Sequence, residues 1–422
     1  MNRLRQVDPE IAAAIEAEAV GRAETIELNA ATNLPDPSII EAQANVMAHK
    51  TLEGYPGRRY HGGHHNVDII ENLAVERAKR LFGAEYANVQ PHCGTHANLA
   101  VYLAVLNPGD AILGMDLTMG GHLSHGHGAS FSGRFFNAHT YGLDRETEGI
   151  DYDGMRRIAR EVRPRMIVCG GSSYPRIIDF RRFRDVADEV GAYLLADIAH
   201  VAGLVAGGVY PSPVPHADFV TFTGYKTLKG ARGGVVLCKR KYGSRIDSAV
   251  FPGIQGSMHV HLMAGKAVTF RLASLPDFKV YAEQVVKNAQ ALAGCLSEMG
   301  YRIVTGGTDT HVVLVDLRNQ GITGAEAQER LEEAGIICNK NRIPFDPLGA
   351  DRTSGIRLGT SAVTERGFRE SEMTLLAEMM DRALSGKSRV EEVRREVKAL
   401  CRHFPLGPGN FQNETPGPGG GC

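Results

Sequence analysis

Val220-Thr221-Phe222-Thr223-Gly224-Tyr225-Lys226-Thr227-Leu228-Lys229-Gly230-Ala231-Arg232-Gly233-Gly234 opens as an apolar strand and runs into a glycine- and threonine-rich turn around one lysine. Upstream, Leu195-Ala196-Asp197-Ile198-Ala199-His200 is a second apolar run, ended by an acid. Such a lysine and such an acid are what a pyridoxal phosphate site needs. The amine forms a Schiff base with the cofactor aldehyde, and the carboxylate keeps the pyridine nitrogen protonated so that the ring can absorb carbanion charge. Taken singly, the segments read as well as a surface lysine in a loop and an acid capping a strand. Their combination with the motifs below selects the cofactor.

The same alternation extends on both sides. From about residue 68 to 275, helices alternate with short apolar strands: Ala111–Met115, Met166–Cys169, Ala192–Asp197, Phe219–Thr223 and Val235–Cys238. Asp68–Leu81, Asn98–Leu106, Asp151–Val162 and Phe180–Val190 are the predicted helices. Fully apolar strands between helices imply a mostly parallel sheet covered on both faces. After a long helix near 276–299, a second and smaller α/β set follows. Its strands are Tyr301–Val304, His311–Asp316, Ile336–Asn339 and Gly355–Gly359, and its helices Gly324–Ala334 and Ser371–Leu384. The expected organisation is an N-terminal arm (1–40), a large cofactor-binding domain (41–275), a small C-terminal domain (276–404) and a Gly/Pro-rich disordered tail (405–422).

Composition bounds the rest. A chain of 422 residues exceeds one ordinary domain, and 43% hydrophobic with 23% charged residues describes a soluble globular protein. A formal net charge of −1 without long charge runs points away from nucleic acid and anionic membranes. The longest apolar stretch, Tyr193–Tyr210, is broken by Asp197 and His200, so it is a buried strand and its following loop rather than a membrane span. The seven cysteines are odd in number and lack CxxC spacing, which fits free thiols in the cytoplasm.

Three further motifs surround the lysine. In His92-Cys93-Gly94-Thr95-His96-Ala97-Asn98, Gly94 and Thr95 precede a helix whose free amides can hold a phosphate; alone, the pattern is as consistent with a simple cap. In Gly120-Gly121-His122-Leu123-Ser124-His125-Gly126, glycines flank two imidazoles, one of which can lie flat on a cofactor ring. No HExxH or carboxylate-supported spacing accompanies the histidines, so no metal is expected. Arg357, in Ser354-Gly355-Ile356-Arg357-Leu358-Gly359-Thr360, is suited to grip a substrate carboxylate in a bidentate fork.

With these residues in view, the chain resembles the serine hydroxymethyltransferase family of fold type I pyridoxal phosphate transferases, from about residue 10 to 403. The strings that carry the likeness include Glu53-Gly54-Tyr55-Pro56-Gly57-Arg58-Arg59-Tyr60, Tyr174-Pro175-Arg176-Ile177-Ile178-Asp179, Phe251-Pro252-Gly253-Ile254-Gln255-Gly256 and Thr353-Ser354-Gly355-Ile356-Arg357. The resemblance implies Lys226 as the Schiff-base lysine, Asp197 on the pyridinium, His122 stacked on the ring and His200 near its hydroxyl. It places Ser172 and Thr223 near the cofactor, Gly94 and Thr95 on the phosphate, and Arg357 on the substrate carboxylate. Gly256 would reach the phosphate of a neighbouring subunit, which implies an obligate homodimer with shared sites and leaves tetramers open. Glu53 would relay protons at the substrate hydroxyl. Positions lining the family's folate pocket match Glu53, Tyr60, Leu117, Gly121, Leu123 and Asn341, so tetrahydrofolate is the expected co-substrate.

Departures from the family concentrate near the substrate. Thr51 and His61 stand where the family has tyrosines, Tyr225 where it has histidine before the lysine, and Gly224 where it has threonine. Losing two phenols enlarges the pocket and weakens recognition tuned to glycine or serine. The expectation is hydroxymethyl transfer between tetrahydrofolate and glycine or alanine, giving serine or 2-methylserine. A folate-independent L-threonine transaldolase or aldolase is the alternative, and a non-catalytic cofactor-binding scaffold is disfavoured by the joint presence of Lys226, Asp197, Arg357 and Glu53.

Overall fold

Seven strands form the central sheet of the computed structural model, which describes residues 2–406. They are β1 (Tyr86–Asn88), β2 (Ala111–Met115), β3 (Asn137–Tyr141), β4 (Met166–Cys169), β5 (Tyr193–Asp197), β6 (Phe219–Thr223) and β7 (Gly234–Cys238), in the spatial order β1-β7-β6-β5-β4-β2-β3. Strand β7 is antiparallel to both of its neighbours, and every other pairing in the sheet is parallel. Both faces are buried, because successive residues point to opposite sides. Ile167, Cys169, Leu194, Ala196, Val220 and Phe222 enter one core, while Met166, Val168, Leu195 and Phe219 enter the other. That two-sided burial is why these strands read as unbroken apolar runs.

The smaller sheet is antiparallel: β8 (Arg302–Ile303), β9 (Val312–Asp316), β10 (Asn339–Asn341) and β11 (Gly355–Gly359), in the order β8-β9-β11-β10. It packs around a separate core that includes Val313, Val315, Leu331, Ile356, Leu358 and Phe368. Helix Pro276–Glu298 joins the two. Its first half gives Phe278, Ala282 and Val285 to the large core, and its second half gives Ala289, Leu292 and Leu296 to the small one.

Several elements differ from the sequence reading. The apparently irregular stretch after Glu24 contains a strand, Ile26–Glu27, paired in parallel with Ile336–Ile337; Ile26 and Leu28 belong to the small core. The single strand expected at Ile336–Asn339 is therefore two, because its first half bonds to Ile26–Glu27 and Asn339–Asn341 bonds to β11. The helix expected from Asn98 begins at Gly94, which puts Gly94 and Thr95 in its first turn. Helix Val260–Ala273 escaped the pattern because it is buried on nearly every side and so lacks a polar stripe. Among the described residues no helix is long and apolar enough to cross a membrane. The tail expected at 405–422 lies, beyond Leu406, outside the described residues.

Candidate active site

The chemistry-bearing residues sit at the carboxyl ends of the parallel strands, where open α/β sheets leave a crevice. Asp197 is the last residue of β5, Lys226 follows β6, Ser172 follows β4, and His122 follows β2. A cleft of ≈ 860 Å³ between the two sheets is lined by Lys226, His122, Ser172, His200, Tyr225 and Arg357, together with Leu117, Gly121, Leu123 and Asn341. Tyr225 faces the cleft itself, beneath the Arg232 guanidinium 4.2 Å from its ring centre.

Asp197 is the most elaborately held side chain. His125 Nε2 donates to its Oδ2 at 3.0 Å, Asn98 Nδ2 donates to the same oxygen at 2.8 Å, and the Ala199 amide donates to Oδ1 at 3.0 Å. Asn98 is itself fixed, donating to Ser124 Oγ at 2.8 Å and accepting from Thr221 Oγ1 at 2.5 Å. Burial alone would raise the Asp197 pKa, but His125, His122 and Asn98 outweigh it and hold the carboxyl well below its ordinary range. None of Asn98, Ser124, His125 and Thr221 was singled out from sequence. The signal was present for His125, which shares the Gly-flanked segment with His122.

Burial lowers the Lys226 pKa to about 8, with Asp197 opposing and Arg357 assisting. It also lowers His122 to about 4, so that this imidazole is neutral at physiological pH. Arg357 lies on β11 of the small sheet, yet its Nη1 donates to the Ser172 carbonyl of the large one at 2.7 Å, and its Nε donates to Asn339 Oδ1 at 3.0 Å. Asn341 lines the cleft from β10, its own amide donating to the Arg342 carbonyl at 2.6 Å.

The donor set suits pyridoxal phosphate. A buried amine and an imidazole line one cleft, and an anionic carboxylate lies directly behind it, bonded to His125 of the cleft wall. The first amides of helix Gly94–Val105 lack intrahelical acceptors, as at any helix start. A Cβ on Gly94 would come within 2.6 Å of Thr223 Cγ2, so this turn and the end of β6 are in close apposition. Thr223 Oγ1 and His200 Nδ1 are buried polar atoms without a protein partner, at positions where a polar ligand would satisfy them. His122, His125 and Asp197 bring ligand-type atoms within 4.8 Å of one another. Two of these three are the side chains that the resemblance assigns to the cofactor ring.

Five predicted residues lie elsewhere. Thr51 and His61 border a second cavity of ≈ 870 Å³ with His64, whose ring nitrogens bond to the carbonyls of His61 (2.9 Å) and Thr51 (2.8 Å). Tyr60 is 72% exposed and meets Phe251 edge-on at 5.4 Å. Gly256 lies beside Glu53, whose Oε1 would be 3.7 Å from a Cβ built there. None of these five residues lines the Lys226 cleft.

A family model described as serine hydroxymethyltransferase matches residues 4–380. Members are pyridoxal-phosphate-dependent transferases of amino-acid and one-carbon metabolism, with tetrahydrofolate as the family's co-substrate. The extent of that match, over a fold of the same architecture, makes this chain a member of the serine hydroxymethyltransferase family.

Proposed function

We propose that this chain carries a hydroxymethyl group between tetrahydrofolate and a small amino acid, with a pocket that admits alanine and 2-methylserine beside glycine and serine. The observation that carries the reading is the shared cleft. Leu117, Gly121, Leu123 and Asn341, the positions expected to meet folate, line the same space as Lys226 and Arg357. A folate-independent transaldolase would have no use for that wall.

Bound pyridoxal phosphate supplies an electron sink for the substrate α-carbon. The residues do the rest. Arg357 grips the substrate carboxylate, and its bonds to Ser172 and Asn339 fix the orientation of the fork. Asp197 would keep the pyridine nitrogen protonated, and the neutral His122 would contact the cofactor without adding positive charge. Lys226 would hold the cofactor at its aldehyde, and its free amine, with a pKa near 8, would be suited to exchanging a proton at the substrate α-carbon. Gly94, Thr95, Ser172, Thr223 and His200 complete the cofactor contacts.

Glu53, Tyr60, Thr51, His61 and Gly256 act across a homodimer interface. Their absence from the lining of the Lys226 cleft in the single chain supports that reading, as does the contact of Glu53 with Gly256. With threonine and histidine in place of phenols, the amino-acid side of the pocket has room for an α-methyl group. The division into an arm, a large domain (41–275) and a small domain (276–404) is drawn on the two cores, with two crossings: Ile26 and Leu28 of the arm join the small core, and Phe278, Ala282 and Val285 of the small domain join the large one. The six described cysteines are unpaired, which supports a reducing, cytoplasmic setting.

The test is the cofactor absorbance of the holoenzyme with glycine, D-alanine, L-serine and L-threonine, each with and without tetrahydrofolate. The expected result is a long-wavelength band with D-alanine or glycine that folate strongly enhances. A strong response to L-threonine that ignores folate would overturn the proposal in favour of transaldolase chemistry.

A further inference from the structure

We propose that Lys266 is a positioning residue for the cofactor site, its ammonium binding the loop that carries Gly94 and Thr95 to the chain leaving the Lys226 turn. The proposal rests on the reading of Gly94 and Thr95 as the phosphate-holding turn.

Lys266 lies in the middle of helix Val260–Ala273 and is 3% exposed. Its Nζ donates to the carbonyls of Val89 (2.6 Å), Pro91 (3.1 Å) and Gly234 (3.0 Å). Three acceptors for three N–H groups select the protonated amine, although burial draws its pKa down to about 7 against the opposing pull of Glu71. Among the described residues no carboxylate is hydrogen-bonded to it. A buried ammonium is costly unless oxygen lone pairs replace its hydration shell, and here the backbone provides them. An apolar side chain could fill the same space but would leave these carbonyls without the donor, so the lysine is there for its hydrogen bonds rather than for packing.

What the three carbonyls have in common is location. Val89 and Pro91 flank the exit from β1 toward Gly94. Gly234 begins β7, just after the Lys226 turn, and its amide donates to the Pro91 carbonyl at 2.9 Å. The approach is tight. A Cβ on Gly233 would lie 2.2 Å from Lys266 Cε, and one on Gly234 would lie 2.2 Å from the Cys93 carbonyl oxygen. One turn further along the same helix, Thr269 Oγ1 accepts from the Ala231 amide at 3.0 Å. The helix thus grips the Lys226 turn at Ala231 and Gly234, and ties its end to the phosphate turn through a single charge.

The experiment compares the full-length wild type with Lys266→Met, which keeps the length and loses the charge, and Lys266→Gln, which keeps a donor group. Pyridoxal phosphate and pyridoxal affinities are measured on each chain whose far-ultraviolet dichroism and melting show it folded. Amino-acid KM and kcat are then read at saturating cofactor. Lys266→Met is expected to weaken pyridoxal phosphate binding roughly tenfold or more, the scale of a charge-assisted contact. Pyridoxal binding should change less and KM by less than about twofold, with Lys266→Gln in between. Should Lys266→Met fail to fold, Lys266→Gln is read against the same expectations. A wild-type preference for the phosphorylated cofactor that a folded variant leaves intact overturns the role of Lys266 alone. Equal wild-type affinity for both forms overturns the phosphate-turn reading and this proposal with it.

Discussion

His125 and Asp197 meet at 3.0 Å, Nε2 to Oδ2, and Asn98 donates to the same carboxylate oxygen at 2.8 Å. The carboxylate proposed to sustain the cofactor's electron-withdrawing power is therefore aimed by two side chains, one from helix Gly94–Val105 and one from the segment after β2. Asn98→Ala removes one donor and leaves Thr221 Oγ1 without its acceptor, while Ser124 Oγ keeps its bond to His122 Nδ1. The expected outcome is a fall in kcat/KM of about tenfold to a hundredfold, equivalent to about 1.4–3 kcal/mol. Asp197→Asn should cost more. Steady-state kinetics at saturating cofactor would check this, and an unchanged kcat/KM in Asn98→Ala would show that His125 alone suffices.

Lys226 gives the clearest dependence on pH. Capture of the cofactor aldehyde needs the unprotonated amine, and burial moves the pKa down to about 8 from the ordinary lysine value. The capture rate of the cofactor-free protein should rise with pH up to about 8 and then level. An unperturbed lysine would keep accelerating to about pH 10.4. Stopped-flow absorbance separates the two, and Lys226→Ala should show no lysine-linked absorbance at any pH.

Much of this site was legible because its chemistry sits at strand ends. Apolar runs closed by Asp197 and Thr223 mark both strand and function in one stretch. Arg357 was found in the same way, as a charged residue within a β-strand pattern. The network behind Asp197 was not, because Asn98 and Thr221 come from a helix and a strand whose spacing says nothing of their meeting. Lys266 was hidden more deeply: its helix is buried on nearly every side, so neither period nor amphipathicity drew attention to it. The strand Ile26–Glu27 was lost because a two-residue ladder has no period to detect.

The proposed pocket enlargement rests on Thr51 and His61. Replacing both by tyrosine should raise the ratio of kcat/KM for glycine over D-alanine by about tenfold or more, the discrimination that one methyl group can carry. The change should appear in the substrate ratio, with cofactor absorbance unaltered, because neither residue lines the Lys226 cleft of its own chain. An unchanged ratio would show that the two substitutions do not set substrate size.

Arg357 spans the two sheets, with Nη1 on the Ser172 carbonyl and Nε on Asn339 Oδ1. Its guanidinium is buried enough that its pKa falls to about 10, still charged at physiological pH. Lysine at this position keeps the charge but cannot bond Asn339, Ser172 and a carboxylate in one plane. Arg357→Lys should therefore raise the amino-acid KM by about tenfold to a hundredfold while leaving cofactor affinity near that of the wild type. Asn339→Ala, which frees one side of the fork and retains the arginine, should raise KM by a smaller factor. Parallel losses of cofactor and substrate affinity in both variants would instead mean that Arg357 chiefly holds the sheets together, and the carboxylate grip would have to come from another cation lining the cleft.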